Sequence, residues 1–140
     1  MPLLRAIYGR CTTFGVLTAS YPCGLICGVE TLYEWEGMVE VDKALKTLFA
    51  DESRRPAVLF YDSACGYDVF LIARNDQFWR NTMLVVDRFH FKTHVSIRCA
   101  IHNNPNHKNN PLLWHTGEDG NPKPNFNSSI SESNNAWLSG

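Results

Sequence analysis

"PAVLFYD", residues 56–62, is a short apolar run opened by a proline and closed by an aspartate. Its length and its boundaries suit a buried central strand of a sheet. "TMLVVD", residues 82–87, repeats the pattern and again ends in Asp, here Asp87. Between the two runs, a helix is expected from about Ser63 to Arg74, with a second helical piece near Gln77–Asn81. Strand, helix and strand in this order set an α/β reading, with an acid at the end of each strand.

Working outward toward the N-terminus, "RCTTFGVLTAS" (10–20) and "LICGVETLY" (25–33) read as two antiparallel strands. The "YPCG" turn at 21–24 separates them, with Pro and Gly as breakers. A helix follows from "WEGM", in which Met38, Val41, Ala44, Leu45, Leu48 and Phe49 share one face at helical spacing. Residues 51–56 form a charged loop. Toward the C-terminus, residues 100–126 are dominated by Asn, Pro, His and Gly and read as one long irregular polar loop. "NSSISESNNAWLSG" (127–140) reads as a last helix, with Ser129 and Glu132 at capping-box spacing. The whole order is strand, strand, helix, strand, helix, strand, polar loop, helix, arranged around a mixed sheet.

The chain's 140 residues suffice for one domain, and 44% hydrophobic residues place it in the globular class. Thirteen Lys+Arg against 14 Asp+Glu exclude a strongly basic nucleic-acid footprint. They leave room for a local basic strip of Arg74, Arg80, Arg88, Lys92 and Arg98, which is either a solvated face or a DNA contact surface. No apolar run approaches the roughly 20 residues that span a bilayer, so no membrane association is expected. The five cysteines are odd in number and irregularly spaced, which points to an intracellular protein with reduced thiols.

Two groups of residues carry candidate chemistry. Asp62 and Asp87 end apolar strands, and the carboxyl ends of parallel strands are where open α/β sheets bind ligands. With Glu132 from the last helix they are candidates for a carboxylate cluster relieved by divalent cations, the arrangement that activates a nucleophile at a phosphodiester. Equally, Asp62 and Asp87 are positioned to cap the loops that follow them. The second group lies in "RFHFKTHVSIRC" (88–99): His90 and His94, four apart, then Cys99, then His102, with Cys65 upstream. These are zinc-competent side chains, although H-x3-H-x4-C-x2-H lacks the paired cysteine knuckle of a finger. Buried cysteines also serve as small hydrophobes. A nucleophilic pairing of Cys65 or Cys99 with His90 is a further arrangement, but neither cysteine has protease-like flanks.

Three blocks, "VLFYDSACGYD" (58–68), "VVDRFHFKTH" (85–94) with Cys99, and "FNSSISESNNAWLSG" (126–140), resemble the core of KDZ-type transposases. The closer likeness is to the fungal branch associated with CxC cysteine clusters. It runs from about Tyr8 to Gly140, with the blocks in matching order and spacing.

The resemblance implies an RNase H-like mixed sheet flanked by helices, incomplete here, and a DDE-type activity: metal-dependent DNA cleavage and strand transfer. It implies Asp62 and Glu132 as catalytic acids and Mg²⁺ (or Mn²⁺) ligands. His90, His94, Cys65 and Cys99 match the family's His/Cys positions, which implies a possible zinc. Transposon-end DNA as partner, nuclear localisation and a homo-oligomer follow from the same likeness.

This sequence also departs from the pattern. The family's first catalytic Asp has no counterpart, because the first acid in the chain is Glu30. A cysteine expected before Asn-Pro is Asn103, with His102 beside it as a substitute ligand. Ser133 stands where Gln is usual. The expectation is therefore a transposon-derived fragment that is inactive alone. The competing expectation is a non-catalytic, zinc-stabilised module that binds DNA or protein.

Overall fold

The computed structural model describes residues 15–33 and 37–128. The readings that rest on residues 10–14, on Trp35, on Ser129 and Glu132 and on the last helix lie outside these residues.

The chain is mixed α/β, with small sheets and short helices. Strands β1 (Gly15–Ser20) and β2 (Ile26–Leu32) pair antiparallel, as the turn signal between them requires. Gly24 closes that turn at φ +90°, a backbone conformation that glycine adopts without strain, and its N–H donates to the Tyr21 carbonyl at 2.9 Å. Helix α1 (Met38–Leu48) lies against β2 and buries Val41, Ala44 and Leu45, the face that the helical spacing marks. Gly28 permits this approach, since a Cβ there would stand 2.7 Å from the Leu48 side chain.

Strand β3 (Val58–Phe60), helix α2 (Ala64–Ala73) and strand β4 (Met83–Val85) follow, and β3 runs parallel to β4 in the register Val58↔Met83 to Phe60↔Val85. A parallel pair needs such a crossover helix.

Three features differ from the sequence reading. First, β4 is the buried strand and β3 is half-exposed throughout. Leu84 packs in the hydrophobic core, and the far edge of β4 is covered by Asn103, whose Nδ2 donates to the Leu84 carbonyl at 2.9 Å and whose backbone carbonyl accepts the Val86 N–H at 2.9 Å. Second, residues 78–81 are turns rather than a helix, and Asp76 Oδ1 accepts the Phe78 N–H at 2.9 Å at their start. Third, the described strands form three separate two-stranded sheets, not one mixed sheet.

Two short helices, α3 (Arg88–Phe91) and α4 (Ile97–His102), lead into a hairpin of β5 (Trp114–Thr116) and β6 (Pro122–Pro124). The stretch 100–126 is thus ordered by local rules. The Asn104 and Asn110 side chains accept from backbone N–H groups two residues on, and Leu113 is buried at 2% exposure.

The core joins α1, α2, β4 and α4 through Leu45, Tyr67, Leu71, Trp79, Leu84 and Cys99. A polar chain runs through it. Trp79 Nε1 donates to Tyr67 Oη, which donates to Asp42 Oδ1, each at 2.7 Å. Lys46 then bridges Asp42 and Asp76. Burial and the bond to Asp42 hold the Tyr67 hydroxyl well above its ordinary pKa, so it stays a donor. No described helix is long and apolar enough to cross a membrane.

Candidate metal centre

Asp87 organises the segment that follows β4. Its Oδ1 accepts the N–H groups of Phe89 (2.8 Å) and His90 (3.1 Å), and its Oδ2 lies 2.6 Å from His90 Nδ1. This is the strand-end cap that its position suggests, and it starts α3. The helix lasts one turn. The Thr93 N–H and hydroxyl both return to the His90 carbonyl, and the chain reverses so that His94 faces α2. Helix α4 then packs on α2 and turns Cys99 fully inward.

Three side chains from separate segments meet there. His94 Nδ1 lies 3.2 Å from Cys65 Sγ and 3.3 Å from Cys99 Sγ, and the ligating atoms of all three residues lie within 4.8 Å of one another. Phe91 stacks on the His94 ring with an interplanar angle of 19° and fixes its plane. Around a tetrahedral zinc ion, bond lengths of about 2.3 Å to sulfur and about 2.0–2.1 Å to nitrogen place S and N about 3.6 Å apart and two sulfurs about 3.8 Å apart. The two nitrogen–sulfur separations, 3.2 and 3.3 Å, need to lengthen by only a few tenths of an ångström to meet this requirement. Two thiolates and an imidazole are a soft donor set suited to Zn²⁺, which would hold them as Cys₂His and leave one position for a further ligand.

Burial and the adjacent Cys65 thiol push the Cys99 thiol up to about 11. A thiol so disposed is a poor nucleophile at neutral pH, which weighs against Cys–His catalysis. The imidazole facing the thiols is in any case His94, not His90.

The candidate zinc residues therefore divide. Cys65, His94 and Cys99 converge. His90 belongs with Asp87, because α3 ends at Phe91 and the two histidines never share a helical face. His102 lines a cleft of about 400 Å³ with Trp79, Arg80 and Asn103, one helical turn from Cys99, and does not join the cluster. Asn103, which stands where the resemblance expects a cysteine, secures the edge of β4. The signal that separates the two histidines was Asp87, three residues before His90. A capping acid claims the first imidazole and leaves the second.

The acids are placed differently. Asp62 is exposed just past β3, and its Oδ1 accepts the N–H of Ser63 at 2.7 Å. By strand register it shares an edge with Asp87, whose carboxylate is engaged as described. Glu132 lies outside the described residues. Among the described residues Asp62 belongs to no group of three or more metal-competent side chains.

No protein-family model, curated protein or solved structure matches this chain.

Proposed function

We propose that this chain is a transposase-derived module of the KDZ kind, on an RNase H-like plan, in which Cys65, His94 and Cys99 hold a zinc ion. The observation that carries the reading is the convergence of these three side chains to within 4.8 Å. They come from two of the sequence blocks on which the resemblance rests, so the likeness in sequence corresponds to one place in space. The element order supports it further: an antiparallel hairpin, a helix, and two parallel strands joined by a helix, with Asp62 following the first of them.

The zinc joins α2, the turn after α3, and α4. Its chemistry in this reading is structural, since metal binding that couples distant segments adds directly to folding free energy. DNA is the proposed partner, with nuclear localisation and pairing of two copies as corollaries of the same reading.

A non-catalytic interaction module is the second reading, favoured by the engagement of Asp87 in capping. The two readings differ in their response to metal. Binding of Mg²⁺ or Mn²⁺ that is lost in Asp62→Asn and Glu132→Gln marks a carboxylate site. Binding of zinc alone, lost in Cys99→Ser, marks the module. The chain by itself is expected to carry out no strand transfer. A supercoiled-plasmid nicking assay with Mg²⁺ checks this, and nicking that persists in Asp62→Asn would refute both the expectation and the assignment of Asp62.

A further inference from the structure

The cations between Arg74 and Arg98 do not form one basic face. Arg98 lies 2.6 Å from Asp68, Arg80 lies 3.5 Å from Glu52, and Arg74 stacks on Phe70 at 3.6 Å. Arg88 has no such acid beside it. Its guanidinium carbon stands 4.7 Å from the centroid of Trp114, and its Nε, like that of Arg98, is buried with no hydrogen-bond partner. Lys108, exposed in the Asn-rich segment, places Nζ 5.9 Å from the same centroid. Among the described residues neither cation is ion-paired. The nearest acid in sequence, Asp87, is committed to the α3 cap and to His90.

Trp114 is a fixed platform, with its Nε1 donating to the Pro105 carbonyl at 3.0 Å. Two positive charges are thus held over one indole without a carboxylate, and one of them is partly withdrawn from water. A cation partly withdrawn from water is favoured by a counter-charge. Arg88 also opens the segment at the carboxyl end of β4, the edge at which α/β sheets bind ligands. A guanidinium and an ammonium beside an aromatic ring suit phosphate oxygens. The exposure of Lys108 suits a ligand that runs across a surface rather than one enclosed in a pocket.

We propose that Arg88 and Lys108, carried on Trp114, form a contact site for backbone phosphates of a nucleic-acid strand. The site is separate from the metal centre, so a failure of zinc to bind leaves this proposal standing. It supplies what the overall charge of the chain does not: a local cationic contact.

The test is fluorescence anisotropy of labelled single-stranded and duplex DNA with the full chain across a salt series. The wild type is expected to bind, with affinity falling as salt rises. Arg88→Gln and Lys108→Gln are each expected to weaken binding about fivefold or more and to lower the log–log salt slope by about 1. Lys108 is exposed, so its variant keeps the test decisive even where Arg88→Gln disturbs packing. The proposal is overturned by a wild type that binds no nucleic acid, or by Lys108→Gln with unchanged affinity and slope. Displacement of the strand by inorganic phosphate at matched ionic strength would also overturn it, by assigning the site to free phosphate.

Discussion

At the scale of the residue, the division between His90 and His94 decides the chemistry. Their spacing alone suggests a shared face. The structure separates them because Asp87 captures the first and the one-turn helix ends before the second. Without metal, Cys99 is held above its ordinary value of 9.0, so the folded state favours the protonated thiol. A group raised in this way contributes stability below its unfolded pKa and loses it as pH rises through the folded value. The metal-free protein is therefore expected to lose stability between about pH 9 and 11. Zinc reverses the sign, since binding needs thiolates and releases protons. Urea midpoints measured against pH, with and without chelator, check both slopes. Tyr67 offers a second test at this scale. Tyr67→Phe removes the group that joins Trp79 to Asp42 and leaves buried polar atoms unpaired. The expected cost is about 1–3 kcal/mol, read from denaturant unfolding.

At the scale of the element, the sequence was legible where periodicity was strong. The apolar face of α1, the β1–β2 hairpin and the two short strands ending in acid all stand where pattern and turn residues put them. What pattern missed was set by single long-range bonds. Nothing in "VLF" or "MLV" says that Leu84 enters the core while Asn103, far along the chain, covers the edge of β4. The Asn-rich segment read as irregular because asparagine has no periodicity. Its amides instead close turns that lead into the β5–β6 hairpin. Turn chemistry also supports a prediction. Gly24→Ala forces a Cβ onto a residue at φ +90° and is expected to destabilise the hairpin by about 1–2 kcal/mol, measured as a shift in unfolding midpoint.

At the scale of the molecule, the described residues form small paired sheets around one core, and the candidate centre ties together segments that the sheets do not. α2 and α4 meet through packing at Cys99, and the turn carrying His94 is attached by its contacts to both thiols. The sequence held all three ligands among its candidates. It held two histidines too many, because the choice depends on where α3 stops and on which face of α4 turns inward.

The most direct test of the account is the zinc content of purified protein, with Co²⁺ substitution to report thiolate ligation. The account predicts one metal ion per chain. Metal and thiolate–cobalt absorption should be lost in Cys65→Ser, His94→Ala and Cys99→Ser, and retained in His90→Ala and His102→Ala. A metal-free wild type, or a metal retained in the Cys65→Ser, Cys99→Ser double variant, would contradict it.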